Sequence, residues 1–184
     1  MNGPGWTLIG GGICLFGDDA RPVKIRPLWW TTTPVAGRHL GRREPGGSLP
    51  VSGITHDEAS AIAARLDGRL PRSAEWEWMA AGSGRRRFPW GDTGWRPSCA
   101  ALLPSGHDNA VPVGTHPQGA TPDGVLDVAG NVWEWTASPV MGTGFVVRGG
   151  SYASPLLYAQ TTFLNAAPAE LRSAGIGVRV VRDA

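Results

Sequence analysis

Charged residues are scarce in this sequence. Asp, Glu, Lys and Arg make up 17% of its 184 residues, and 17 basic residues against 15 acidic ones leave a net charge of +2 at pH 7. So weak a field does not attract nucleic acid through the release of counterions. The basic cluster of Arg85, Arg86 and Arg87 is short, and we interpret it as a solvated turn. We therefore expect no nucleic-acid partner.

Long apolar runs are also missing. No stretch approaches the roughly 18 consecutive apolar residues that a membrane helix needs. The first 19 residues are partly apolar, but no basic segment precedes the apolar part and glycines interrupt it, unlike the core of a secretion signal. We expect no membrane span and no signal peptide, and hence synthesis in the cytoplasm. A later association with a phage or cell surface is left open.

Cysteine is nearly absent. Cys14 and Cys99 can form at most one disulfide, and the geometry of that bond requires Cα atoms within about 7 Å of each other. We predict that both are free, buried thiols.

Glycine, proline and tryptophan are plentiful by contrast, with 27, 16 and nine residues, and 41% of the chain is hydrophobic. A chain of this length buries roughly two thirds of its unfolded surface, which is enough for a single domain. Abundant Gly and Pro indicate many turns, and the tryptophans supply an aromatic core. We predict one loop-rich domain over residues 1–184.

The apolar pattern predicts several short strands. Residues 5–16 mix apolar side chains with glycines, which suits a strand, a tight turn and a second strand. Residues 22–27, 144–148 and 176–181 also have patterns typical of strands. Residues 88–122 show no sustained period. We expect long ordered loops there, held by aromatic packing, side-chain hydrogen bonds or a bound ion.

Two helices are predicted. Residues 55–66 begin with a capping box, formed by Thr55 and Glu58, and repeat apolar residues at helical spacing before Gly68. Residues 73–81 place Trp76 and Met79 on one face, and the following glycine ends the run.

Four short motifs follow one another along the chain. They are GRLPRSAEWEW (residues 68–78), FPWG (88–91), GNVWEW (130–135) and RGGSY (148–152), the last followed by RS at 172–173 and IGVR at 176–179. Together they resemble the signatures RLPTEAEWEYA, YPWG, GNVWEW, RGGSW and RSSNIGFR of the formylglycine-generating enzyme family, also called sulfatase-modifying factors. The resemblance is specific over residues 55–182 and loose over the first 54. It implies an α+β, C-type lectin-like fold of the formylglycine-generating-enzyme type, loop-rich, with two helices and small antiparallel sheets.

The resemblance does not extend to the catalytic cysteines. The family's enzymes bind copper with two cysteines shortly after the RGGS element, and the matching positions here are Ser154 and Ala159. Neither supplies the thiolate that copper(I) prefers. The four histidines form no HxxxH or HxH pattern, and no GxSxG or P-loop pattern is present. We therefore predict no copper, no catalytic residue and, on balance, no enzyme activity.

Glu134 is an unusual residue within its motif. It lies between Trp133 and Trp135, and on an extended segment both rings would face one way and the carboxylate the other. A carboxylate in such surroundings needs a partner. One interpretation is an ion pair or hydrogen-bond network with an arginine such as Arg69 or Arg148.

The other interpretation is calcium, which takes oxygen ligands from carboxylates and carbonyls. In the family that this region resembles, four positions hold the ion. They correspond to the side chains of Asp127 and Glu134 and the carbonyls of Gly130 and Val132.

The C-terminal segment, residues 148–182, is a possible variable ligand-binding segment, and its residues 153–175 depart most from the family. Relatives are dense in Asn, Arg and Asp there, whereas residues 153–175 read ASPLLYAQTTFLNAAPAELRSAG. The flanking motifs and the length are kept while the residues between them differ. This pattern resembles the variable proteins of diversity-generating retroelements, in which adenine-directed mutagenesis converts Asn codons into others. Residues 153–158, 161–163 and 165 are compatible with such codons.

The same segment carries the predicted ligand-binding residues. If its apolar and aromatic side chains are exposed, they form a recognition surface for a protein or surface ligand; the alternative is that they are core. We predict Tyr158 and Phe163 as anchors. The surrounding contact residues are Ser154, Leu156, Leu157, Thr161 and Asn165.

Three functions remain open on this basis. The leading hypothesis is a non-catalytic ligand-binding protein that displays a retroelement-diversified surface. The second is an oxygen-dependent or metal-assisted modifying enzyme of the same family with an atypical site. The third is a structural or regulatory domain that binds without diversification.

Overall fold

The computed structural model describes residues 3–184 and contains two α-helices and nine short strands in that range. Helix α1 spans His56–Arg65 and helix α2 spans Ser73–Ala81. The strands, in chain order, are β1 Trp6–Ile9, β2 Gly12–Phe16, β3 Arg21–Ile25, β4 Leu28–Thr31, β5 Trp133–Pro139, β6 Gly144–Arg148, β7 Leu164–Pro168, β8 Ile176–Gly177 and β9 Val181–Asp183.

Both helices begin and end where local sequence signals place them. Thr55 Oγ1 accepts a hydrogen bond from the Glu58 backbone N–H at 3.2 Å, and Glu58 Oε2 accepts one from Thr55 at 2.9 Å. This confirms the capping box of α1. Helix α2 has the predicted bounds and ends at Gly82, whose φ of 63° favours glycine.

The strands form three small sheets. Strands β1, β4 and β9 make an antiparallel sheet in the order β1-β4-β9, and β2 pairs with β3. A four-stranded sheet has the order β7-β6-β5-β8. The prediction of antiparallel sheets is wrong for one pair, because β5 and β8 run parallel, with Trp133 beside Ile176.

The predicted strand over residues 176–181 is broken into two pieces that join different sheets. Strand β8 belongs to the four-stranded sheet and β9 to the three-stranded one. Between them, the carbonyls of Val178 and Val180 accept hydrogen bonds from Val35 and Thr31. The chain therefore crosses from one sheet to the other, and this crossing buries Arg179.

The four-stranded sheet lies between the two helices, and each face is covered by a different one. Trp133 and Trp135 pack with Ala59 and Ala63 of α1 in one apolar cluster. Glu134 points to the other face, where Trp76 of α2 hydrogen-bonds its carboxylate. The predicted alternation of β5 is confirmed, but all three side chains are buried.

Residues 88–122 contain no α-helix and no strand, only two short 3₁₀ turns, Leu103–Ser105 and Pro117–Gly119. Aromatic packing and side-chain hydrogen bonds hold the loop. Trp95 Nε1 donates to the Ala100 carbonyl at 3.0 Å. Asn131 bonds both the N–H and the carbonyl of Val111, at 3.0 and 3.1 Å. The GNVWEW motif thus fixes the loop that lies against it.

Cys14 and Cys99 are free and buried, as predicted. Burial, together with the nearby Glu77 carboxylate, raises the pKa of Cys14 to about 11. Within residues 3–184, no helix is long and apolar enough to cross a membrane.

Candidate functional site

Glu134 is completely buried in an ion pair with Arg179. Arg179 Nη2 lies 2.8 Å from Glu134 Oε1, and Arg179 Nε donates to both carboxylate oxygens at 2.9 and 3.0 Å. Trp76 Nε1 donates to Oε2 at 2.7 Å. The arginine partners suggested from the sequence are wrong, since Arg69 bonds Glu75 and Arg148 bonds Glu77. The true partner is the arginine of the IGVR motif.

Asp127 lies beside this pair and accepts hydrogen bonds through both its side chain and its carbonyl. Its Oδ2 accepts from the Gly114 N–H at 2.6 Å, and its carbonyl accepts from Arg179 Nη2 at 3.3 Å. Burial raises the pKa of the Asp127 carboxyl. Gly130, three residues later, has a φ of 75°, and a Cβ there would lie 2.2 Å from the Ala101 carbonyl oxygen. The bend therefore needs glycine.

These residues do not fit a calcium ion in this arrangement. The Arg179 guanidinium and the Trp76 N–H already occupy both oxygens of Glu134. A guanidinium and a calcium ion have charges of the same sign, so they compete for one carboxylate. Calcium at Asp127, Gly130, Val132 and Glu134 stays a prediction, and the geometry favours the ion pair.

A second buried ion pair connects α2 to the C-terminal segment. Arg148 Nη2 lies 2.8 Å from Glu77 Oε2 and also donates to the Thr161 carbonyl at 2.5 Å. The guanidinium stacks 4.9 Å from the centre of the Trp76 ring, and burial lowers the pKa of Arg148. Sequence reasoning missed this pair, although Glu77 and Arg148 both lie in motifs of the family.

Two of the predicted contact residues, Ser154 and Thr161, are buried. Ser154 Oγ accepts from the Ser151 N–H at 2.9 Å, and the Ser154 carbonyl accepts from Leu103 at 2.9 Å. The Thr161 hydroxyl donates to the Arg86 carbonyl at 2.5 Å. Their short polar side chains bond backbone groups of turns, so they hold the segment in place.

Tyr158 and Phe163 are half-buried and form an aromatic cluster with Trp133. The ring centres of Tyr158 and Phe163 are 4.6 Å apart, and they lie 5.7 and 6.4 Å from that of Trp133. Both therefore pack on the core that contains α1. The sequence left two alternatives for these side chains, burial in the core and display on the surface. Each ring is partly buried against the core and partly exposed.

The other predicted residues divide by exposure. Leu157 exposes 53% of its surface, and Asn165 is exposed at the edge strand β7. Leu156 is half-buried against the cluster of Phe88 and Leu102. Sequence reasoning missed Leu164, which is 43% exposed. Leu164 is followed by Asn165, Ala166 and Ala167, and these residues do not alternate between apolar and polar side chains as a half-exposed strand would.

The chemistry available on this segment is recognition by apolar and aromatic groups. Residues 153–165 contain no acidic, basic or thiol side chain. Ser154 and Ala159, at the positions of the family's cysteines, are both buried. A Cys14 thiol with a pKa of about 11 is protonated at neutral pH and is not a nucleophile.

Two solved structures show the same fold over nearly the whole chain. PvdO from Pseudomonas aeruginosa matches with a TM-score of 0.82 at 20% identity, covering 98% of this chain and 95% of that one. Treponema denticola variable protein 1 matches with a TM-score of 0.79 at 17% identity, covering 97% and 95%. These likenesses confirm the predicted fold class.

The sequence itself is similar to a curated enzyme and to a family of domains. It is 40% identical over 122 residues to the hercynine oxygenase of Mycolicibacterium smegmatis. The match covers 63% of this chain but only 28% of the length of that protein. Residues 5–184 match the family described as the sulfatase-modifying factor enzyme 1-like domain, and this match begins well before the motifs that indicated it. The chain therefore belongs to the sulfatase-modifying factor enzyme 1-like domain family.

Proposed function

We propose that this chain is a non-catalytic binding module whose contact surface lies in residues 153–165. The observation that carries the proposal is the exposure of Leu157 and Leu164 beside an aromatic cluster that is itself anchored. Exposed apolar side chains next to half-buried aromatic rings are typical of recognition sites.

The segment is fixed at several points, which suits a binding surface. Arg148 holds the Thr161 carbonyl, and the Thr161 N–H donates to the Arg87 carbonyl at 2.9 Å. The Leu103 N–H holds the Ser154 carbonyl, and β7 pairs with β6 along its length. A surface that is ordered before binding avoids the entropy cost of immobilising its side chains, about 0.5–1.5 kcal/mol for each.

The edge strand itself is poorly suited to accept another strand. The Ala166 N–H donates to Asn165 Oδ1 at 2.9 Å, and Pro168 has no N–H. Two positions of β7 therefore offer no free donor to an added strand. Side chains, rather than backbone pairing, would make the contact.

The finer form of the proposal is that a retroelement diversifies this surface. The compatible codons at residues 153–158, 161–163 and 165 support it, and so does the fold shared with Treponema denticola variable protein 1. Sequencing the locus in several isolates tests it. We expect differences confined to these codons, with a near-copy of the stretch and a reverse transcriptase gene nearby. An invariant segment, or changes spread evenly over the gene, contradicts diversification but leaves the binding module standing.

The binding module is tested with matched surface variants. Leu157→Ser with Leu164→Ser alters the proposed surface, whereas Leu8→Ser with Ile13→Ser alters exposed apolar residues elsewhere. Each protein, checked for an unchanged melting temperature, is immobilised and exposed to host-cell extract. A partner held by the wild type and the control but lost from the first variant supports the proposal. Identical binding by all three proteins contradicts it.

Similarity to hercynine oxygenase favours a second candidate, a metal-assisted, oxygen-dependent modifying enzyme. The purified chain, incubated with iron or copper, is assayed for oxygen consumption with hercynine. We expect none, because residues 153–165 offer no metal-binding thiolate, imidazole or carboxylate. Turnover that depends on the metal would replace the binding proposal with this one.

A further inference from the structure

A cleft of about 690 Å³ opens beside the first turn of α2, away from the C-terminal segment. Its walls come from three separate parts of the chain, namely the end of β3 with the start of β4, the first turn of α2 with the stretch that leads into it, and β9. The lining residues are Lys24, Arg26, Leu28, Arg69, Arg72, Glu75 and Asp183. None of them belongs to residues 148–182, so the proposed binding surface does not explain the cleft.

The cleft concentrates positive charge. Four of its lining side chains are cationic and two are anionic, which leaves two positive charges in excess. The whole chain has a net charge of +2. The charged residues elsewhere sum to zero but include separate clusters such as Arg85, Arg86 and Arg87, so the positive excess of the cleft is a local property of its lining.

One arginine in the wall is held rigidly by carboxylates. Arg69 Nη1 and Nη2 donate to the two oxygens of Glu75 at 2.8 and 3.0 Å, and Nη2 also contacts Asp183 Oδ1 at 3.3 Å. These contacts raise the pKa of Arg69. Glu75 also accepts from the Arg72 N–H at 2.7 Å. Arg69 and Glu75 thus neutralise each other and form part of the lining of the cleft.

Among the described residues, two of the remaining cations, Lys24 and Arg26, lack a close counter-charge, whereas Arg72 contacts Glu75. Within residues 3–184, Lys24 and Arg26 have no acidic group within 4.0 Å and make no side-chain hydrogen bond. Lys24 lies in β3 and Arg26 directly follows its last residue; both are exposed, whereas Ile25 between them is buried. Arg72 is 72% exposed, and its Nε lies 3.7 Å from Glu75. All three side chains are available to a ligand.

We propose that this cleft binds a small phosphomonoester, with Lys24, Arg26 and Arg72 as its ligands. A phosphomonoester has a charge of about −1.5 to −2 at neutral pH, which balances the excess. Guanidinium groups bind its oxygens in pairs, and the positive end of α2 adds to the potential. The volume lies within the range of small-molecule sites, roughly 300–1,000 Å³.

The test uses isothermal titration of the full chain with two probes, inorganic phosphate and phosphoserine, at constant ionic strength. We expect binding of both at concentrations up to about 10 mM, and tighter binding of phosphoserine if the organic part contributes. Lys24→Gln with Arg26→Gln should weaken it at least about tenfold. Asp183→Asn, which removes a negative charge from the rim, should strengthen it. The control is Arg43→Gln with Arg96→Gln, which removes two exposed arginines elsewhere and should leave affinity unchanged.

Several results would overturn the proposal. No heat from either probe means that the cleft is not an anion site. An equal loss in the control variant means that the attraction is general. Binding of a single-stranded oligonucleotide in preference to both probes would assign the cleft to a polyanion instead. None of these results bears on residues 153–165, so the two proposals can fail separately.

Discussion

At the residue scale, the interior depends on two fully buried arginines, each paired with a glutamate from another element. Arg179 bonds Glu134, and Arg148 bonds Glu77. Removing a charge from water is costly, and a paired geometry with further hydrogen bonds offsets that cost. Arg148 Nε and Nη1 have no hydrogen-bond partner in residues 3–184, so Arg179 is the better satisfied of the two.

Replacing one member of the Glu134–Arg179 pair should strongly destabilise the protein. Arg179→Met leaves the buried Glu134 without a cation, and we expect the free energy of unfolding to fall by about 3–5 kcal/mol. Urea denaturation followed by tryptophan fluorescence measures it. The control is Arg172→Met, which breaks an exposed pair with Glu58 and should destabilise the protein far less, because solvent screens the pair. Equal losses in the two variants would contradict the assignment.

The ion pair also predicts the response to chelation. Because Arg179 already occupies the Glu134 carboxylate, we expect EDTA to leave the melting temperature unchanged. A bound ion would instead stabilise the native state by mass action. A lower melting temperature in EDTA that added calcium restores would show that calcium binds, and a Glu134→Gln variant that loses this response would place it at Glu134.

At the scale of single elements, the C-terminal segment has both structural and exposed residues. Ser154 and Thr161 hold its backbone, and Tyr158 and Phe163 pack on Trp133. Leu157 and Asn165 remain accessible. Four of the positions proposed to vary therefore also hold the segment in place, namely Ser154, Tyr158, Thr161 and Phe163.

The two kinds of residue should respond differently to truncation. Phe163→Ala removes a half-buried ring from the core, and we expect a loss of about 1–3 kcal/mol, less than for a fully buried Phe. Leu157→Ala removes an exposed side chain and should change stability by less than about 0.5 kcal/mol. Thermal and urea unfolding measure both. A stable Phe163→Ala protein would mean that the ring is displayed rather than packed.

At the scale of the whole molecule, buried histidines link stability to pH. Burial lowers the pKa of His39, His56 and His116. His39 Nδ1 accepts from the Ala36 N–H at 3.0 Å, so protonation of that nitrogen would break the bond.

The expected pH dependence follows from the direction of these shifts. Below the ordinary histidine pKa of about 6.5, the unfolded chain binds protons that the folded chain does not, so stability falls as the pH drops. We expect the melting temperature to decrease from pH 7 to pH 5. His39→Asn, which removes one of these three buried imidazoles, should flatten this slope. A melting temperature that rises toward pH 5 would contradict the assignment.

Local signals in the sequence were enough to predict the helices and the loops. The Thr55 capping box and Gly82 set the limits of α1 and α2 through backbone hydrogen bonds between near neighbours. The motifs, which are specific combinations of residues, predicted the fold class and the absence of the cysteine pair. The helix limits depend on residues within a few positions of one another, and the fold class depends on the order of short motifs along residues 68–179.

The features that only the tertiary structure decided depend on distant residues. Glu134 and Arg179 are separated by 45 positions and meet because β8 adds to β5 in parallel. The exposure of Leu157 and the burial of Thr161 follow from which neighbours cover them, and Arg86 and Arg148 come from other elements. The sequence by itself determined which side chains could be buried, paired or displayed. The packing decided which side chains are actually buried, paired or displayed, because burial and ion pairing are properties of contacts between elements.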